Sequence, residues 1–133
     1  ESDAPQYDGP ITGGTETVLV VEDDEAVRTT VVDLLGSLGY RVLTARDAQA
    51  GLAVVESGLH IDVLFTDVVM PQMTGPQLVE QARTIRSDLR VVFTSGYTGS
   101  SSEADERIKA GGNFLAKPFS FDQLARKIGA ALA

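Results

Sequence analysis

Apolar residues along this chain follow two alternating rhythms. Short runs dense in β-branched residues, such as TVLVVE at 17–22, read as strands buried on both faces. Between them lie longer segments whose apolar positions recur every three or four residues, as on an amphipathic helix. The first such segment carries Val27, Val31, Leu34, Leu35 and Leu38 on one face. Asp23 or Asp24 is available to cap it and Gly39 to close it. The same reading predicts strands over 40–45, 61–66, 91–94 and 114–116. It predicts helices over 48–57, 77–85, 103–110 and 121–132. Their inward positions are Leu52 and Val55, then Leu78, Ala82 and Ile85, and finally Phe121, Leu124, Ile128 and Leu132. Five strands alternating with five helices imply an α/β fold, a doubly wound and mostly parallel five-stranded sheet covered on both sides.

Composition narrows the function more than the fold. A chain of 133 residues has room for a single domain with one substantial core. With no cysteine and one histidine, His60, thiolate chemistry and multi-histidine metal sites are excluded. A net charge of −8 disfavours a nucleic-acid partner, since a phosphate backbone calls for a basic face. No segment reads as a membrane span or a signal peptide, so no membrane contact is expected and the default location is the cytoplasm. Residues 1–16 hold Glu1, Asp3, Asp8 and Glu16, no base, and much Gly, Pro, Ser and Thr. They read as a flexible acidic tail or linker, with the domain proper over 17–133. The initial Glu suggests a processed chain or an excerpt from a longer one.

In a parallel sheet with right-handed crossovers, the residues just past each strand meet along one rim, where ligands of open α/β sheets bind. Here that rim collects Glu22 and Asp23, then Asp67, Ser95 and Lys117. Each has an ordinary reading by itself. Acids at 22–25 suit a helix N-terminus, Asp67 or Ser95 could form turns, and Lys117 could be a solvated loop residue. Together they suit phosphoryl transfer to a carboxylate. Asp67 would be the nucleophile, Mg2+ held by the acids would offset their repulsion of the donor, and Lys117 and Ser95 would neutralise and hydrogen-bond phosphoryl oxygens.

Four segments in order, VLVVEDDE, TDVVMP, FTSG and FLAKPF, resemble the receiver domain of bacterial two-component response regulators, over about residues 17–132. The resemblance implies a flavodoxin-like fold with strand order 2-1-3-4-5. It implies that Asp67 is the phospho-acceptor, that Asp23 binds the metal directly and Glu22 through water, and that the Val69 backbone carbonyl is a further metal ligand. Ser95 becomes the switch hydroxyl, Phe114 the switch aromatic, and Lys117 the family's lysine, joined to Pro118 by a bond typically cis. The acidic pair here is Glu-Asp rather than the commoner Asp-Asp, which leaves a shift to Asp23 and Asp24 as an alternative. Val69 and Tyr97, which flank the phosphoryl site, offer no amide or carboxylate to orient a water. Slow loss of phosphate is therefore expected, and a half-life of seconds in the isolated protein would overturn that expectation.

The expected partners are a histidine kinase or a histidine phosphotransfer domain in a phosphorelay. The expected output is a change in the face made by the fourth helix, fifth strand and fifth helix, which is also open to pairing with a second copy. The chain ends after its last predicted helix, and FTSGYT together with the linker-like start resembles the C-terminal receiver of a hybrid histidine kinase. Stand-alone and relay receivers are the alternatives. As a receiver the chain would be no enzyme beyond assisting its own phosphorylation. Two rivals from other classes are a phosphatase of the haloacid dehalogenase type and a receiver-like module that binds a partner without phosphorylation. The first calls for Asp-x-Asp after strand 1, where this chain has Glu22-Asp23-Asp24, and the second predicts loss of Asp67, Asp23 or Lys117.

Overall fold

A computed structural model describes residues 14–70, 72–95 and 114–132. Five strands, β1 (Thr17–Val21), β2 (Arg41–Ala45), β3 (Val63–Asp67), β4 (Arg90–Ser95) and β5 (Phe114–Ala116), form one sheet. All pair in parallel, in the order β2-β1-β3-β4-β5. Among the described residues four helices cover it: α1 (Glu25–Ser37), α2 (Ala48–Glu56), α3 (Gly75–Ile85) and α4 (Phe121–Leu132). The helix expected over 103–110 lies outside the described residues, so the C-terminal helix, fifth in the sequence pattern, is α4 here.

Alternation along β1 explains why its apolar run is continuous. Leu19 and Val21 join Leu64, Val91, Val55, Leu78 and Ala82 in a core layer under α2 and α3. Val18 and Val20 join Val63, Phe65, Val92, Val31, Leu35, Leu124 and Ile128 in a second layer under α1 and α4. Side chains of this size contribute about 1.5–3 kcal/mol each on full burial, so both layers are needed to hold the sheet. Phe65 also meets Phe119 edge to face, with ring centroids 6.2 Å apart, tying the segment after β5 to the central strand.

Several expected boundaries move. β3 begins at Val63 rather than 61 and includes Asp67, so the acid is the strand's last residue and not the first past it. β2 starts at Arg41, β4 extends to 90–95, and α2 stops at Glu56. α3 starts at Gly75, two residues early, because Thr74 and Gln77 form a reciprocal capping box and Pro76 sits in the first turn, where its missing N–H costs nothing. Ile85 and Phe121, expected inward, are exposed. Both are helix-terminal, where the sheet no longer lies beneath the stripe, and Val79 and Ala125 take the buried places. Residues 14–16, read as the end of the tail, hydrogen-bond to the domain through Gly14 N to Leu38 O (3.1 Å) and Arg41 N to Glu16 O (2.9 Å).

Candidate functional site

The C-terminal ends of β1, β3 and β5 deliver Glu22, Asp67 and Lys117 to one place. The chain passes from β1 into α1 at Asp24, whose backbone is still extended and whose side chain caps the helix by accepting from Val27 N at 3.0 Å. Glu22 is held on every side. Its N–H donates to Ala45 O at 3.1 Å, its carbonyl accepts from the Arg28 guanidinium at 2.8 Å, and its Oε2 accepts from Asp24 N at 3.0 Å. The Lys117 ammonium donates to Glu22 Oε1 at 2.7 Å and to Asp67 Oδ2 at 2.9 Å, linking residues 95 and 50 positions apart. The Lys117–Pro118 peptide is cis. The remaining Asp67 oxygen, Oδ1, accepts from Val69 N at 3.2 Å.

Glu22, Asp23 and Asp67 each offer a carboxylate oxygen within 4.8 Å of the others. Glu22 and Asp67 are buried and Asp23 is exposed, so the cluster opens to solvent on the Asp23 side. With Asp24 committed to the helix cap, the acids that meet Asp67 are Glu22 and Asp23, not the shifted pair. Burial pushes the Glu22 carboxyl up from its ordinary pKa, against the opposing pull of Lys117 and the Asp24 N–H. Burial alone would lower the Lys117 pKa. The hydrogen bonds and charges of Glu22 and Asp67 outweigh it and raise the pKa, fixing an ammonium. Three carboxylates against one ammonium leave an excess of negative charge. Hard oxygen donors so arranged fit a divalent cation of the Mg2+ or Ca2+ kind, and Glu22 has one oxygen already taken by Lys117.

Other expected site residues fall nearby with different degrees of definition. Ser95 ends β4 and pairs with Ala116, one residue before Lys117, so its backbone stands on the same rim. Its side chain, and Tyr97, lie outside what is described. Phe114 opens β5 opposite Phe93 and is half-buried. Val69 is 59% exposed beside Asp67. Three residues were not foreseen. Arg28 anchors the Glu22 backbone, one helical turn past the cap, with no motif to announce it. Gly75 donates to Val68 O at 2.8 Å, and a Cβ there would collide with the Asp67 carbonyl oxygen. Thr94 is paired directly with Asp67. A groove of about 470 Å3 lies beside Lys117, lined by Ala26, Val27, Thr30, Val31, Pro118 and Phe119.

Comparison with known proteins places these features in a group. Residues 18–129 match the family model described as response regulator receiver domain. The chain is 40% identical over 116 residues to the sensor kinase CckA of Brucella abortus (strain 2308), covering 86% of this chain and 12% of that protein. It is 33% identical over 116 residues to the DNA-binding transcriptional regulator NtrC of Azospirillum brasilense, covering 87% of this chain and 24% of that protein. The chain thus spans a quarter or less of these relatives. Among solved structures, the receiver domain of the hybrid histidine kinase CckA superposes with a TM-score of 0.72 at 35% identity, covering 88% of this chain and 99% of that one. The chemotaxis protein CheY4 of Vibrio cholerae gives 0.78 at 31% identity, covering 90% and 100%.

Proposed function

The chain belongs to the response regulator receiver domain family, and from that membership and the rim geometry we propose that Asp67 is its phosphoryl acceptor. The role is signalling by phosphoryl acceptance. The observation that carries the residue assignment is the Lys117 ammonium, 2.7 Å from Glu22 and 2.9 Å from Asp67. A carboxylate attacking phosphorus needs a cation beside it that does not leave, and a lysine tied to a second buried acid is such a cation.

In the transfer an Asp67 oxygen forms the new bond to phosphorus while the bond from phosphorus to the donor's imidazole nitrogen breaks. The imidazole keeps the electron pair. Mg2+, held by Asp23 and Asp67 with the Val69 carbonyl and with Glu22 acting through water, would supply charge neutralisation at the phosphoryl oxygens. Lys117 takes one phosphoryl oxygen as a point charge, and Ser95 donates to another. Once in place, the phosphoryl group adds nearly two negative charges and strong acceptor oxygens. Ser95 moves toward it, Phe114 fills the space, and the face including β5 and α4 changes shape. Converting a mostly inactive population to a mostly active one takes about 5 kcal/mol of differential stabilisation.

The donor is a histidine kinase or histidine phosphotransfer domain, and the parent protein is a hybrid histidine kinase. The likeness to the CckA kinase receiver supports the second point. The groove between α1 and the segment after β5, apolar and open beside Lys117, suits an apolar side chain of that donor. No described helix is long and apolar enough to cross a membrane, in keeping with a domain that works in the cytoplasm. The test is intact-mass measurement after incubation with acetyl phosphate and Mg2+. Wild type should gain one phosphoryl group and Asp67→Asn none. Equal labelling of the two would overturn the assignment.

A further inference from the structure

Thr94 is fully buried, yet its hydroxyl has no hydrogen-bond partner among the described residues. A buried hydroxyl left unpaired loses its hydration for nothing, and valine has the same shape without that loss. The position is also specific. Thr94 pairs in register with Asp67 on one side and with Leu115 on the other. Alternation along the strands puts Thr94 on the sheet face of Val92, and Asp67 on the face of Val63 and Phe65, which is the same face. Leu115 lies there too, and Lys117 follows it by two residues, so the lysine springs from that side. Thr94 therefore stands one strand over from Asp67 on the same sheet face, and level with the strand position two residues before Lys117.

Lysine carries three N–H donors, and Lys117 spends two of them on Glu22 and Asp67. A phosphoryl group on Asp67 draws the ammonium toward its oxygens and weakens at least one of those bonds. We propose that Thr94 is a positioning residue for phosphoryl transfer: its Oγ1 accepts an N–H of Lys117 as the phosphoryl group arrives, and so holds the ammonium against the phosphoryl oxygen. The hydroxyl is idle in the resting form because its partner is engaged elsewhere, and it is satisfied only in the reacting form. This rests on the reading of Asp67 as acceptor.

The experiment compares Thr94→Val, Thr94→Ala and Thr94→Ser with wild type in the full chain. It follows phosphoryl mass gain from acetyl phosphate with Mg2+ over time, alongside thermal melting without donor. Loss of one hydrogen bond to a charged group predicts labelling about tenfold slower in Thr94→Val, with melting no lower than wild type, and a wild-type rate in Thr94→Ser. The opposite signs of the two readouts separate positioning from packing. Labelling of Thr94→Val at the wild-type rate, or of Thr94→Ser as slowly as Thr94→Val, overturns the proposal. If the valine variant does not fold, a slow alanine variant beside a fast serine variant supports it, and a fast alanine variant overturns it. Wild type that takes no phosphoryl group would overturn the acceptor reading and this inference together. A labelled wild type with an unaffected hydroxyl deletion overturns this inference alone.

Discussion

Glu22 is a carboxylate kept where the fold resists its charge. It is 1% exposed, and burial raises its pKa in spite of Lys117. An acid whose folded pKa lies above its unfolded value binds protons more readily when folded. The stability it contributes is present below its ordinary value of 4.5 and is lost as pH rises through the folded value. Lys117 has a raised pKa as well, and for a base this means stability present below its ordinary 10.5 and lost only as pH climbs through the raised value. Burial thus works against the Glu22 charge, whereas the partners of Lys117 favour its charge. Glu22→Gln keeps an oxygen for the Lys117 N–H and removes the buried charge. Its melting temperature relative to wild type should rise from pH 4 to pH 7 in metal-free buffer, followed by circular dichroism. A difference independent of pH would show that the Glu22 charge is not under strain. Thr94 and Glu22 thus share a property: each puts a polar or charged group where burial works against it.

The element that holds Asp67 in place is the start of α3. Thr74 accepts from Gln77 N at 3.2 Å and Gln77 returns a bond to Thr74 N at 3.0 Å, fixing where the helix begins. Gly75 then lies so close to β3 that any Cβ would meet the Asp67 carbonyl oxygen and, at 3.1 Å, the Val68 Cα. Backbone cannot yield as a flexible side chain can. Gly75→Ala should therefore cost about 1–3 kcal/mol in chemical denaturation, as overpacking does, and slow phosphorylation by displacing Asp67. Gly36→Ala is the control. It lies in α1 with nothing within 4 Å of an added Cβ, and it should stabilise by up to about 1 kcal/mol. Similar effects from the two would mean that helix propensity, not close approach, decides. The apolar period alone places the start of α3 at residue 77, after Pro76. Capping logic reads the same proline as a first-turn residue, so this boundary was available in the pattern and was missed. Ile85 and Phe121 are different. They carry the right helical phase, and only the length of sheet beneath each helix leaves them exposed.

Across the whole molecule, what was legible followed from period and direction. Alternating strands and helices force a parallel layered sheet, and a parallel sheet forces Glu22, Asp23, Asp67, Ser95 and Lys117 to one rim without knowledge of any contact. Strand order is not encoded in local periodicity and came from family resemblance. Nor is the choice of hydrogen-bond partners, such as Lys117 to Glu22 across 95 positions, or the orphan state of Thr94, which depends on what fails to surround it. The rim carries a further consequence at this scale. Folding gathers three carboxylates within 4.8 Å of one another in a chain of net charge −8, and the unfolded chain disperses them. A cation that binds only the gathered set must stabilise the fold through its binding energy, by about 2.7 kcal/mol at a hundredfold excess over Kd. For a domain of this size that is a rise of roughly 10 °C in melting temperature. Saturating Mg2+ should produce it in wild type, and NaCl at matched ionic strength should fall well short, because screening does not require oxygen ligands held together. Asp23→Asn and Asp67→Asn should each lose most of the Mg2+ increment while keeping the response to NaCl. Equal Mg2+ increments in wild type and both variants would place the cation elsewhere and leave the acidic cluster without a metal to hold.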